Sequence, residues 1–213
     1  MMPQGMPEHI WKAVVKLSDC GTSAEQVRNA LAAWVKRQKN GAVALRELTE
    51  WDRKLGVWCA CAVVESALKH LPAGEDRPRI AIETARSWVL GQATVEQLRK
   101  AGTDSLKARH AVKAADASKG SCPYLVAAAT NVTLMAIFEQ DANAALTGSD
   151  VAKYVAQALP TYRERRAGLG RLRTVIAQAI LNYPVVEKSQ CRTLLESTNE
   201  SGMPSSASLA DAK

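Results

Sequence analysis

The sequence predicts an all-α protein, a single bundle of about seven or eight helices with a disordered C-terminal tail. Alanine, the strongest helix former, dominates the composition, and 47% of the residues are apolar, which is enough to build a buried core. Val and Ile follow the helical period and not the alternation typical of strands, so we expect no β-sheet. Gly and Pro are mostly confined to short stretches, as in helices joined by tight turns.

Signals at the helix ends set the order of the elements. Ser23 with Gln26, and Thr94 with Gln97, have the form of capping boxes that begin helices. Asp76 is expected to cap another helix, because an Asp side chain can accept a hydrogen bond from the first turn. The predicted helices cover residues 8–18, 23–38, 45–69, 77–90, 95–117, 121–145, 151–159 and 160–182.

The helix predicted over residues 121–145 is apolar nearly all round, so we expect it to be the central helix of the bundle. A new helix is expected to begin at Gly148-Ser149-Asp150. From Ser197 onward the chain is rich in Ser, Asn and Gly and predicts a disordered tail over residues 197–213. Residues 1–196 are therefore expected to form one all-helical domain.

The motifs expected of an enzyme or a metal protein do not occur in the sequence. There is no Gly-rich phosphate loop, no Gly-x-Ser-x-Gly element, and Gly168-Leu169-Gly170 lacks the third glycine of a dinucleotide site. The three histidines, His9, His70 and His110, are dispersed, with no Cys or carboxylate at ligand spacing. We therefore expect no catalytic residue, no metal and no cofactor.

The cysteine pattern and the hydropathy predict a cytoplasmic protein. The five cysteines are an odd number in a long chain, and we interpret them as reduced apolar residues. The first residues lack the basic start and apolar run of a signal peptide, and no stretch approaches the ~18 apolar residues of a membrane span. We expect no membrane association.

The net charge of +7 is concentrated toward the C-terminus. Five arginines, opposed locally only by Glu164, make up the basic segment: Arg163, Arg165, Arg166, Arg171 and Arg173. Helical spacing places Arg163, Arg166 and Arg173 on one broad face. This face is either solvated or contacts a partner, which is an acidic protein or the phosphates of a nucleic acid.

A second charged string follows the Leu-Pro-Ala-Gly loop. It predicts a structural polar network formed by Asp76, Arg77, Arg79, Glu83 and Arg86. Arginines at the positive end of a helix need acidic neighbours, for which Glu75, Asp52 and Glu65 are candidates. A carboxylate on a partner is the alternative for Arg77 or Arg79. An enzyme using Glu65, Arg79, Glu83 and Arg86 is the least supported interpretation, since no nucleophile accompanies them.

The same region resembles a known family. The residues that carry the resemblance are Trp58-Cys59-Ala60-Cys61-Ala62, Glu75-Asp76-Arg77-Pro78-Arg79, Ala81-Ile82-Glu83, Ala85-Arg86 and Trp88, with Ala-rich helices after them. They resemble the immunity proteins of bacterial polymorphic toxin systems, an all-helical group. The match covers about residues 51–159, and residues 160–196 form an arginine-rich helical extension to it.

Two hypotheses for function follow. The resemblance implies a non-enzymatic, immunity-like inhibitor that neutralises a toxin or effector by complex formation. The alternative is a helical subunit of a ribonucleoprotein complex that contacts phosphates through residues 163–173. If the basic segment binds a partner, its five arginines are the expected contacts.

Overall fold

The structure, a computed structural model, consists of helices with local caps and short connections. It describes residues 24–115, 122–138, 140–158 and 162–184. Within these ranges the chain is helical, with no strand, which confirms the predicted all-α class. The eight α-helices there are α1 (Ala24–Arg37), α2 (Gly41–Trp51), α3 (Arg53–Glu65), α4 (Arg77–Val89), α5 (Val95–Ala115), α6 (Cys122–Ile137), α7 (Asp141–Gln157) and α8 (Tyr162–Leu181). A short 3-10 helix, Leu68–His70, follows α3.

Asp52 separates two helices that the sequence predicts as one. Its backbone is extended (φ −142°, ψ 106°), and its carboxylate accepts a hydrogen bond of 3.0 Å from the N–H of Leu55, so it caps α3. Its own N–H donates to the carbonyl of Leu48 at the end of α2. The prediction of one helix over residues 45–69 is wrong, because a residue able to cap interrupts the apolar pattern.

A break between α6 and α7 replaces the one predicted at Gly148. The helix predicted over residues 121–145 ends at Ile137, where the guanidinium of Arg53 donates to the carbonyl of Phe138. The next helix, α7, passes through Gly148 without interruption. A Cβ at Gly148 would lie 3.1 Å from both Met135 Cε and Thr49 Oγ1, so this glycine serves close packing between helices and not a turn.

The core is built around two helices. α3 packs against α2, α4, α6, α7 and α8, and α6 packs against α3, α4, α5 and α7. Val57, Cys59 and Val63 of α3 and Leu125 and Val132 of α6 have no exposed surface. The apolar α6 is buried as predicted, but it shares the central position with α3.

The basic C-terminal segment, as far as it is described, belongs to the bundle. α8 packs against α1, α2, α3 and α7, and the described residues up to Tyr183 form one compact unit. The predicted first helix, residues 8–18, and the predicted tail, residues 197–213, lie outside the described residues.

No helix in the described part of the chain combines the length and apolar character needed to cross a membrane.

Candidate functional site

The start of α4 is stabilised by Glu75 and not by Asp76. Arg77 donates from Nε to Glu75 Oε1 at 2.7 Å and from Nη2 to Glu75 Oε2, and its backbone N–H donates to the same carboxylate at 3.3 Å. The hydrogen bond from Arg77 holds the pKa of Glu75 below its usual value. Asp76 occupies the predicted N-cap position with helical backbone angles, but its side chain makes no capping hydrogen bond within the described structure, so that part of the prediction is wrong. Its carboxylate lies 3.9 Å from the guanidinium of Arg79.

Arg86 connects α4 to two other helices. Its Nη2 donates to Glu65 Oε2 on α3, and its guanidinium carbon lies 4.6 Å from the centroid of the Trp58 ring. Trp58 donates from Nε1 to the carbonyl of Ala179 on α8 at 3.0 Å and meets Tyr183 edge-on at 5.8 Å between centroids. Arg86 and Trp58 therefore fix the position of α4 on the bundle.

The predicted polar network is divided into separate pairs along α4. Arg77 pairs with Glu75, Arg79 with Asp76, and Arg86 with Glu65. Two of the acidic partners, Glu75 and Glu65, are among the neighbours expected from the sequence. The contribution of Trp58 is not visible in the sequence, since an Arg and a Trp almost thirty positions apart carry no pairing signal.

A groove lies between α4 and α5. The connection between the helices turns at Gly91, whose φ of +73° favours glycine. Thr94 and Gln97 then form the predicted capping box, with Thr94 N–H to Gln97 Oε1 at 2.7 Å and Gln97 N–H to Thr94 Oγ1 at 3.2 Å. The groove has a volume of about 500 Å³. Its walls are formed mainly by Arg77, Ile80, Glu83, Thr84, Ser87, Gln97, Lys100 and Asp104.

The groove is lined by an exposed apolar side chain and by charged side chains. Ile80 is 51% exposed inside it, although Ala81 and Ile82 next to it are buried in the core. On the α5 rim, Asp104 accepts hydrogen bonds of 3.1 Å from both Lys100 and Lys107, which hold its pKa below the usual value. The site thus places an exposed isoleucine among charged side chains.

Glu83 stands between the groove and a second depression. That depression has a volume of about 360 Å³ and is lined by Glu65, Leu68, Lys69, Arg79, Ile82 and Glu83. Among the described residues Glu83 forms no ion pair, because the arginines at positions 79 and 86 are directed to Asp76 and Glu65. Its carboxylate is exposed to solvent.

The basic segment is partly used inside the protein. Arg173 donates to the carbonyls of Lys36 (3.1 Å) and Gln38 (2.7 Å) at the end of α1. Arg28 makes a similar contact with the carbonyl of Tyr183 after α8, at 2.8 Å. The carbonyls at a helix C-terminus carry partial negative charge, so a guanidinium from another helix is stabilising there.

Of the other arginines of the basic segment, the structure describes the side chains of two. Arg165 and Arg171 are exposed on α8, whereas the side chains of Arg163 and Arg166 lie outside the described residues. Arg173 turns toward α1, so the face predicted from helical spacing loses one of its members. Helical spacing alone does not reveal this, because it does not show which helix end lies beside α8.

The cysteines of α3 are buried in the core. Cys59 and Cys61 are wholly buried, and burial raises the pKa of both thiols far above the ordinary value. Cys122 is buried too, with its sulfur 3.3 Å from the carbonyl oxygen of His70. Within the described ranges, no three His, Cys, Asp or Glu side chains are grouped so that they could hold a metal ion.

Comparison with known proteins gives a partial likeness to a regulator. The chain matches no family model and no solved structure. Over 81 residues it is 36% identical to the heavy metal-dependent transcription regulator 1 of Rhizobium meliloti. The match covers 35% of this chain and 53% of the regulator, so the chain spans about half the length of that relative.

Proposed function

We propose that this protein is a non-enzymatic binding protein, an immunity-like inhibitor that neutralises a toxin or effector in the bacterial cytoplasm. The observation that carries the proposal is the groove between α4 and α5. One wall of it is α4, which is also the helix that bears most of the resemblance to immunity proteins. The partner is a protein that binds in this groove.

Two features of the groove support binding of a protein partner. α4 is held by its buried face and by Arg86, so the exposed face is presented on a rigid support. A single exposed apolar residue is ordinary, but Ile80 lies in a concave surface with a polar and charged rim.

The test is affinity capture of the tagged full chain from the cells that encode it, with and without nuclease, followed by mass spectrometry. A protein recovered in about equal amount after nuclease treatment is expected. The captured protein should then arrest growth when expressed alone and lose that effect when this chain is co-expressed.

Two variants locate the contact. Ile80→Asp places a charge in the groove and should weaken the complex by at least about tenfold, since an unpaired charge at the centre of an interface is unfavourable. Leu146→Asp is the matched control, because Leu146 is 59% exposed on α7 and does not line the groove. Equal binding by both variants would place the contact elsewhere, and recovery of no stoichiometric protein would refute the proposed function.

A second candidate function is association with nucleic acid. The partial likeness to a transcription regulator supports it, as do the net charge of +7 and the exposed Arg165 and Arg171. The internal hydrogen bonds of Arg173 count against it, because they remove one arginine from the basic face.

The two functions differ in their response to salt. Phosphate contacts release counterions, so affinity for a fluorescent duplex or single-stranded RNA of about 20 nucleotides should fall steeply between about 50 and 200 mM salt. Replacing Arg165 and Arg171 together by Gln should reduce that slope by about two. Undetectable or salt-independent binding excludes this candidate.

A further inference from the structure

We infer that the end of α1 binds the phosphate backbone of a nucleic acid and does not read its sequence. The contact residues are the three α1 cations, Lys36 and Arg37 in the last turn of the helix and Lys39 just after it. Together with Arg173 of α8 they form the α1–α8 surface. The inference rests on the second candidate function, to which it adds the contact surface, and it does not involve the groove between α4 and α5.

Contacts between α1 and α8 place basic residues from distant parts of the chain together. The guanidinium of Arg173 donates to the carbonyl oxygens of Lys36 at 3.1 Å and Gln38 at 2.7 Å. At the opposite end of the pair, Arg28 of α1 donates to the carbonyl oxygen of Tyr183, after α8, at 2.8 Å. The two helices therefore run antiparallel, and Arg173 adds a positive charge beside the backbone that carries the three α1 cations.

Acidic residues are rare on the helices around this surface. Between Glu25 and Glu47 the chain carries five basic residues and no acidic one, and residues 165–184 carry four basic residues and no acidic one. Over residues 24–52 and 162–184, which include α1, α2 and α8, there are ten basic and five acidic residues, a balance of +5. Most of the net charge of +7 therefore belongs to these three helices.

The three α1 cations are not matched by carboxylates of the described chain. Their side chains are exposed, and none of the ion pairs among the described residues includes them. Lys107 and Lys153, in contrast, each pair with an aspartate on their own helix. The end of α1 does not depend on its own cations for capping, because Arg173 already binds two carbonyls there.

The side chains exposed on these helices favour a nucleic acid over an acidic protein as the partner. Protein interfaces have an apolar centre, but none of the large apolar side chains exposed in the described chain lies on α1, α2 or α8. The exposed face of α8 instead carries the neutral polar residues Thr174, Gln178 and Asn182. Interfaces with nucleic acid are polar and positively charged, and contacts to phosphates carry no sequence information.

The test is a fluorescence-anisotropy titration of the full chain with two labelled DNA duplexes of about 20 base pairs and unrelated sequence, between about 50 and 200 mM salt. Each phosphate contact to a duplex contributes about 0.9 to the slope of log affinity against log salt. Replacing Lys36, Arg37 and Lys39 together by Gln should therefore reduce the slope by about three for both duplexes. A single-stranded RNA of equal length shows which form is preferred, and its slope should fall by about two.

A matched control excludes an effect of net charge alone. Arg99, Lys107 and Lys153 are exposed on α5 and α7 and do not line the groove between α4 and α5. Replacing them together by Gln also removes two lysines and one arginine, and it should leave the slope nearly unchanged. Circular dichroism should show equal helicity for the wild-type protein and both triple variants.

The inference is overturned if the two triple variants behave alike, if the two duplexes differ strongly in affinity, or if poly-glutamate binds and nucleic acid does not. The last result would identify an acidic protein as the partner. If the wild-type protein binds neither the duplexes nor the RNA, the second candidate function fails together with the inference. If it binds them with a steep slope that the Lys36, Arg37 and Lys39 variant keeps, that function stands and the α1–α8 surface is refuted.

Discussion

Two glycines in helices should respond in opposite directions to the same substitution by alanine. At Gly56 in α3, an added Cβ would lie 2.3 Å from Thr49 Oγ1, 2.8 Å from Thr49 Cβ and 2.7 Å from Thr49 Cα. At Gly170 in α8, it would meet no atom of the described chain within 4 Å. The pair therefore separates helix propensity from packing between helices.

The expected magnitudes follow from two opposing effects. Alanine is more favourable than glycine in a helix by roughly 0.5–1 kcal/mol, and Gly170→Ala should raise the free energy of unfolding by about that amount. Overpacking costs about 1–3 kcal/mol. The upper end applies at Gly56, because one clashing atom is backbone and the Thr49 hydroxyl is held by a 2.7 Å hydrogen bond to the Leu45 carbonyl. Gly56→Ala should therefore lower the free energy of unfolding by about 2 kcal/mol.

The assay is urea unfolding followed by circular dichroism at 222 nm, with a thermal scan of each variant. For a chain of this size each kcal/mol shifts the melting temperature by roughly 2–4 °C. Gly56→Ala should melt about 4–8 °C below the wild-type protein, and Gly170→Ala a few degrees above it. Similar stabilisation of both variants would refute the close contact between α2 and α3.

Three further predictions concern internal groups. Arg173→Ala should lower the free energy of unfolding by about 1 kcal/mol, since the end of α1 loses its hydrogen bonds, whereas Arg171→Ala should change it by less than about 0.5 kcal/mol. Iodoacetamide should leave Cys59 and Cys61 unmodified in the native protein and alkylate both in urea, as read by mass spectrometry. Burial raises the pKa of Asp52. The Asp52 carboxyl therefore contributes to stability below about pH 4, and this contribution is lost as the pH rises through the raised pKa. Asp52→Asn should therefore gain stability relative to the wild-type protein between about pH 4 and pH 7.

Each of these has an outcome that contradicts it. Equal stability of Arg173→Ala and Arg171→Ala would show that the contact with α1 is not formed in solution. Rapid alkylation of Cys59 or Cys61 under native conditions would show that α3 is not central. If the stability difference between Asp52→Asn and the wild-type protein does not vary with pH, the pKa of Asp52 is not raised in the folded protein.

Local signals in the sequence account for the class of the fold and several helix ends. Alanine content and helical periodicity predict an all-α chain, and the Thr94–Gln97 capping box forms as expected. These features depend on residues within one or two turns of each other, which is the range over which sequence patterns are informative. The same range explains why the pairing of Arg77 with a nearby carboxylate could be expected.

The sequence patterns fail where a distant neighbour decides the local structure. Gly148 predicts a break, but the structure uses it to bring α7 close to Thr49 and Met135. Asp76 predicts a cap, but Glu75 binds the first N–H of α4 because Arg77 orients its carboxylate.

Composition and periodicity by themselves determined that the chain is helical, basic and able to bury a core. Only the tertiary structure decided which charges are matched inside the protein and which face outward. Arg173 and Arg86 belong to the first group, and Glu83 to the second. The physical reason is that a charge is matched by groups close in space, and helix packing brings together residues that are far apart in the sequence.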